Sequence, residues 1–393
     1  MKPRKRRRYL LRAPRIAWDV LARGRYEFTF DHMPIRASGM SLRKRINTLR
    51  AGLNLLHMRD KPWSWPIHMQ FELVNYCNLS CPVCPTGVGM LERRPQAMDM
   101  GLMRRVMEEA GPYLLTTALW AWGEPLLHPE FDEAVRIARQ YGVGPRISTN
   151  GQNLNEPRVL EGLASSPPDI LIVALDGLSD ETFSANRPGA SLEPALEGVR
   201  RLQELRRERG TDLPLLHMRF IVTSENEHEV PDVLDFARKH GFDMVSFRSL
   251  SIIDADETEH RRKVPQSAEH RAYDYTAEER VRHSDFLCDM AVCYPAVLAD
   301  GTVLACDQDY NAHHAYGRVG EDGSFADIWF GRKAEAVRKI IRTDRQRFSF
   351  CRNCPFADRA VRTCSFRFHD LRQLPSTPDA APPTGSSERA PTV

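Results

Sequence analysis

The chain has 393 residues and nearly balanced charge, 55 Lys and Arg against 52 Asp and Glu, for a net +3. That length accommodates one large domain and a smaller one, and no apolar run approaches the ~20 residues of a membrane span. Arg12, Arg15 and Asp19 interrupt any secretory-type apolar segment, so the nine cysteines are expected to be reduced thiols rather than a disulfide framework.

Charge is unevenly placed along the chain. Residues 1–50 carry 15 Lys and Arg against 3 Asp and Glu, leaving the remainder acidic. The opening Lys2-Pro-Arg-Lys-Arg-Arg-Arg8 suits the phosphates of a membrane surface, a nucleic acid or an anionic substrate, and equally suits a solvated basic arm. Residues 1–66 read as a basic extension poor in strands, with 42–56 patterned as an amphipathic helix.

From 67 to 250, apolar strands alternate with charged helical stretches. The run 67–74 predicts a buried strand, and the clearest helices are expected over 101–110, 129–141, 192–209 and 229–240. Such alternation implies a parallel sheet with helical crossovers, an α/β fold whose ligands sit at the carboxyl ends of the strands. Residues 251–282 look like a connecting segment or lid. Residues 283–370 hold six of the nine cysteines and a predicted hairpin over 296–305, turning at Asp300-Gly301. The tail, 371–393, is rich in Pro, Ser, Thr and Ala and is expected to be disordered.

The most informative stretch is Phe71-Glu-Leu-Val-Asn-Tyr-Cys77-Asn-Leu-Ser-Cys81-Pro-Val-Cys84-Pro. Three thiolates lie on one short loop and the fourth place is empty. A structural zinc site wants four closed ligands, whereas a cubane cluster with three protein ligands keeps one iron open for chemistry. A structural metal knuckle is the plainer alternative.

This motif resembles that of the radical SAM superfamily, and the segments after it agree in order and spacing. They are Trp120-Ala121-Trp122-Gly123-Glu124-Pro125, Arg146-Ile-Ser-Thr-Asn150-Gly151, and Ile170-Leu-Ile-Val-Ala-Leu-Asp176-Gly177 with Arg187 beyond. The resemblance covers 67–250 as a core and implies a partial (β/α)6 barrel of TIM type. It implies that Cys77, Cys81 and Cys84 hold a [4Fe–4S] cluster whose open iron takes S-adenosylmethionine (SAM), giving methionine and a 5′-deoxyadenosyl radical after one-electron reduction. Gly123, Glu124 and Pro125 would bind the SAM amino group, Ser148 and Asn150 the ribose, Arg187 the carboxylate, and Val222 the adenine. Two positions depart from the family pattern: Trp122 replaces a glycine, and Val83 stands where an aromatic often precedes the third cysteine. Each of these residues also has a plain structural reading, as a strand-end carboxylate, turn residue, surface arginine or core valine.

The second group, Cys288, Cys293, Cys306, Cys351, Cys354 and Cys364, resembles a C-terminal SPASM or shorter twitch extension, which carries auxiliary [4Fe–4S] clusters. Ala360 stands where a further cysteine is expected. Two all-cysteine clusters need eight thiolates, so six imply one auxiliary cluster. Its ligands are expected to be Cys288, Cys306, Cys351 and Cys354. The rival set is Cys288, Cys293, Cys306 and Cys364; zinc is a further alternative, and Cys293 and Cys364 are expected to be left unligated. Asp307 occupies the place of a candidate general base in related dehydrogenases, and Asp309 is a neighbour of the same chemistry.

The chain is therefore expected to be a radical SAM, oxidoreductase-type enzyme. It would abstract hydrogen from a small-molecule, sugar or lipid-linked substrate, using a low-potential donor such as flavodoxin or ferredoxin. A peptide-modifying maturase is the alternative within the family, and a non-catalytic iron–sulfur or zinc protein the alternative outside it; cobalamin-dependent methyl transfer is disfavoured. The expected location is the cytoplasm, with contact to a membrane surface or other anionic partner through residues 1–50.

Overall fold

The computed structural model describes residues 13–30, 33–250, 262–271, 288, 290–352, 354 and 365–373. The basic run 2–8, most of the segment 251–282, Ala360, Cys364 and the tail from 374 lie outside the described residues.

Strands β1 (Tyr26–Phe30) and β2 (Met33–Ala37) pair only with each other. The next six, β3 (His68–Phe71), β4 (Thr116–Ala118), β5 (Gly144–Thr149), β6 (Ile170–Ala174), β7 (Leu215–Val222) and β8 (Met244–Ser249), pair in parallel in chain order. Parallel crossovers are right-handed, and here every step moves to the next neighbour in one direction, so the crossovers all pass over one face. Helices Met100–Ala110, Phe131–Gln140, Pro157–Ser165 and Leu192–Arg209 thus cover a single side, as in the (β/α)6 partial barrel. A strand enclosed on both faces has no use for alternation, and β6, Ile-Leu-Ile-Val-Ala, is buried throughout.

Both edges of this sheet are covered by later chain. β9 (Ala296–Val297) adds in parallel to β3, then β10 (Thr302–Leu304) and β11 (Gly317–Arg318) follow antiparallel. β12 (Ser365–Asp370) pairs antiparallel with β8 at the other edge. The predicted hairpin turns at Asp300-Gly301, where Gly301 has φ +89° and Leu298 N–H donates to the Thr302 carbonyl at 2.8 Å.

Two expectations are corrected. The helix predicted over 229–240 is a 3₁₀ turn, Glu227–Asp232, followed by an α-helix, Val233–Lys239. Pro231 has no amide to donate, so the α-helix starts after it. The extension is not poor in strands, since it contains the β1–β2 hairpin. Its two strands flank Asp31-His32, which lacks the glycine-type turn signal that marks hairpins in sequence. Val20, Phe28, Ile35, Met40 and Ala51 form a small second core there with Ile67 and Leu115.

Candidate active site

The candidate residues gather at and beyond the carboxyl ends of the parallel strands. After β3 the chain enters the cysteine loop, where Cys84 N–H donates to the Cys81 carbonyl at 3.2 Å and Val88 N–H to the Cys84 carbonyl at 3.0 Å. The loop closes on Gly87, where a Cβ would lie 2.4 Å from the Cys81 carbonyl oxygen. Burial pushes the Cys77 thiol up to about 11 and raises Cys81, while Cys84 adds to both shifts through its charge. The three sulfurs are thus near enough to repel as thiolates. Such a trio invites a cationic cluster. No three donors among the described residues converge on a single point, as one metal ion would require. A cubane has no such requirement, because each thiolate binds a different iron. The donor set therefore fits an iron–sulfur cluster better than a zinc knuckle.

Gly123 follows β4 and passes directly beneath the entry to this loop. A Cβ there would fall 2.1 Å from the Val74 carbonyl oxygen and 2.8 Å from that of Tyr76, both backbone atoms. Glu124 N–H donates to the Tyr76 carbonyl at 3.0 Å, stitching the two segments together. The Glu124 carboxylate is 3 % exposed and accepts from Asn150 N–H at 2.7 Å and Leu126 N–H at 3.1 Å. Burial raises its pKa to about 7 against the pull of those amides. With the Thr149 hydroxyl also bonded to it, the carboxylate keeps acceptor capacity for one further donor such as a cationic ammonium. Pro125 starts the short 3₁₀ turn Pro125–Leu127 that Glu124 caps.

Ser148 sits half-buried on β5. Asn150 turns back toward the cluster, donating from Nδ2 to Cys77 Sγ at 3.5 Å and to Asn78 Oδ1 at 2.8 Å. Its side chain thus sits beside the Cys77 sulfur. Arg187 is held by Asp176, whose Oδ2 accepts Nε and Nη2, both at 2.7 Å. Burial opposes the Arg187 charge, yet Asp176 and the Cys81 and Cys84 thiols raise its pKa. Asp176, absent from the expected site, also accepts from Ile221 N–H at 2.8 Å and so fixes the guanidinium to the sheet. Val222, at the end of β7, is 0 % exposed and packs in the main core.

Cys288, Cys306, Cys351 and Cys354 line one pocket with Met290, Ala305, Gln308 and Phe350. Burial raises the Cys306 and Cys351 thiols, and the neighbouring Cys288 and Cys354 raise them further. Cys293 is 1 % exposed on the short helix Met290–Cys293 and is not part of that lining. The favoured set lines one pocket; of the rival set, Cys293 is not in that lining and Cys364 lies outside the described residues.

The two sites are physically joined. Gln70 on β3 donates from Nε2 to the Trp120 carbonyl at 2.7 Å and to Asp307 Oδ2 at 3.2 Å. Trp122 donates its indole N–H to the Asp307 carbonyl at 2.6 Å, and its own carbonyl accepts from the Thr86 hydroxyl. The tryptophan that replaces a family glycine therefore bridges the cysteine loop and the segment after Cys306. Asp309, the other candidate carboxylate, accepts from His313 and His314 N–H at 3.0 and 2.8 Å and is 6 % exposed. It is a turn-forming residue. Beneath them, Arg93 makes a bidentate pair with Glu72, both contacts at 2.7 Å, and donates Nε to the Tyr310 carbonyl at 2.6 Å.

Residues 71–237 match the family model of the radical SAM superfamily, and residues 288–355 that of the SPASM iron–sulfur cluster-binding domain. The chain belongs to the radical SAM superfamily. Its core binds a [4Fe–4S] cluster and SAM, and its C-terminal SPASM-type domain carries auxiliary iron–sulfur chemistry. Among curated proteins it is similar to the PqqA peptide cyclase of Gluconobacter oxydans, 28 % identical over 45 % of this chain and 47 % of that one. It is also similar to the mycofactocin maturase MftC of Mycobacterium ulcerans, 30 % identical over 45 % of each chain. These alignments span about half the length of the relatives they match. Among solved structures, SuiB of Streptococcus suis bound to S-adenosylmethionine shares the fold, with TM-score 0.54 and 14 % identity over 75 % of this chain and 72 % of that one; another structure of SuiB holds the precursor peptide SuiA.

The four cysteines that line this pocket give an expected iron content. The reconstituted protein should hold about eight irons, and Cys306→Ala about four, with SAM cleavage retained. Anaerobic iron analysis beside a 5′-deoxyadenosine assay checks this; eight irons in the variant would remove Cys306 from the ligand set.

Proposed function

We propose that this enzyme modifies a peptide by hydrogen abstraction from a C–H bond followed by net two-electron oxidation. The relatives carry the peptide part, since the curated ones named above act as a peptide cyclase and a maturase. They favour a peptide over the small-molecule, sugar or lipid-linked substrate expected from sequence. The oxidative part rests on one observation: the Cys306–Asp307 segment is hydrogen-bonded to Gln70 and Trp122 at the ends of the SAM-binding strands.

When bound, SAM on the Cys77, Cys81 and Cys84 cluster supplies the hydrogen-abstracting agent, and the auxiliary cluster an electron acceptor. Around it Gly123 and Glu124 receive the SAM ammonium, and Arg187, aimed by Asp176, its carboxylate. Asp307, oriented by Gln70, accepts the proton that the oxidised carbon fragment must release. Radical SAM enzymes need a reductant, and we assign that part to a flavodoxin or ferredoxin.

Candidate precursor peptides incubated with protein, SAM and reductant should yield products lighter by two hydrogens. Asp307→Asn should slow product formation roughly 100-fold while 5′-deoxyadenosine still appears. Products formed only from non-peptide substrates would overturn the peptide reading, and an unaffected Asp307→Asn rate would overturn the proton role.

A further inference from the structure

Helix Leu42–His57 shows its polar side to the body and its apolar side to solvent, the reverse of an ordinary surface helix. The inward face is satisfied. Lys44 Nζ donates to the Tyr141 and Gly142 carbonyls at 2.8 and 2.6 Å, and Asn47 Nδ2 to those of Trp65 and Tyr113, both at 3.3 Å. Asn54 Nδ2 donates to Ser64 Oγ at 2.6 Å. Facing out, Leu42, Ile46 and Leu53 are 67, 40 and 44 % exposed; Leu56 is half-buried beside them, and half-buried Leu49, on the same arc, packs against the small second core. At 3.6 residues per turn these five fall within an arc of about 80°.

The ribbon is bordered by cations and tryptophans. Arg43 and Arg50 are exposed along one margin, and the helix contains no Asp or Glu. On the other margin Arg45 donates to the Leu21 carbonyl at 2.7 Å, bringing in the segment that carries Trp18 and Leu21, 63 and 45 % exposed. At the far end Trp63 lies edge-on to His57 at 5.7 Å, with the Arg59 guanidinium 4.1 Å over its ring. Asp19 and Asp60 are already paired, with Arg23 at 3.1 Å and Arg342 at 2.6 Å. Of seven large hydrophobic side chains strongly exposed among the described residues, six belong to this one region, which marks an interaction surface rather than scatter.

We propose that this face seats the protein on an anionic lipid bilayer, the helix lying in the plane of the headgroups. No helix among the described residues is long and apolar enough to cross a membrane, and this one has a polar inner face that already grips the body. An in-plane helix with an apolar face and basic margins buries its leucines at the headgroup–acyl boundary while arginines meet phosphate and tryptophans sit at the interface. A second copy is a poorer occupant, because two-fold pairing would set Arg43 and Arg50 against cations with no acidic group on the helix to receive them. A nucleic acid would leave the leucine ribbon in water.

Flotation of the full reconstituted chain with vesicles tests this. Binding should be at least 10-fold stronger to phosphatidylcholine mixed with phosphatidylglycerol than to phosphatidylcholine alone, and should weaken with salt. Arg43→Gln/Arg50→Gln should lower partitioning roughly 10-fold, and Leu42→Ser/Ile46→Ser/Leu53→Ser by at least as much, with SAM cleavage unchanged in both. Absent binding, or equal binding to both vesicles, would overturn the proposal. So would a dimer that the serine variant dissociates, or a peptide or nucleic acid bound by this face in preference to vesicles.

Discussion

Gly123→Ala should leave a folded chain that forms 5′-deoxyadenosine from SAM roughly 100-fold more slowly, or not measurably. An alanine methyl would lie 2.1 Å from the Val74 carbonyl oxygen and 2.8 Å from that of Tyr76. Neither atom belongs to a side chain that can rotate away, so the strand-end segment and the entry to the cysteine loop must move apart. That displacement acts on Cys77 from one side and on Glu124, through its bond to the Tyr76 carbonyl, from the other. Under the proposed roles, the cluster thiolates and the groups that would receive the SAM ammonium then lose their mutual placement. Gly52→Ala is the control. Its added carbon meets nothing within 4 Å, and alanine is the better helix former there. Activity of Gly123→Ala equal to that of Gly52→Ala would show that close approach of the two segments is dispensable.

Glu72→Gln should destabilise the folded chain by about 3–5 kcal/mol, the usual cost of leaving one partner of a buried pair uncompensated. The Glu72 side chain is 0 % exposed and that of Arg93 10 %. The carboxylate also accepts from Ala299 N–H at 3.2 Å, and Arg93 reaches the Tyr310 carbonyl, so one pair ties the end of β3, the segment after the cysteine loop and the β9–β10 region together. A glutamine of the same shape keeps the packing but leaves the guanidinium buried without its countercharge. Replacing both, as Glu72→Leu/Arg93→Leu, should recover much of that loss by removing the stranded charge, though the Tyr310 contact goes with it. Denaturation midpoints of the three proteins check this. If Glu72→Gln unfolds at the wild-type midpoint, water reaches the pair and the latch has no energetic weight.

Some of this architecture was legible one residue at a time. Cys77, Cys81 and Cys84 lie so close in the chain that spacing alone brings them together, and β6 reads as a strand enclosed on both faces from five apolar residues. The glycines at 123 and 301 mark a close approach and a left-handed turn, as their motifs imply. Other readings failed for want of a partner in view. The apolar stripe of Leu42–His57 is plain in the sequence, yet its direction is set by carbonyls of Trp65, Tyr113 and Tyr141, which only the fold brings to Lys44 and Asn47.

Sequence by itself determined the class of chemistry, because a three-thiolate loop and the strand-end motifs after it are local patterns. The order of the six parallel strands came from the family resemblance, since right-handed crossovers alone also allow doubly wound sheets. Tertiary structure decided that Cys288, Cys306, Cys351 and Cys354 share a pocket which Cys293 does not line, and that Asp307 rather than Asp309 faces Gln70 and Trp122. Those contacts join residues far apart along the chain. Their geometry depends on how β9 and β10 dock against β3, a packing outcome that no short window of residues encodes.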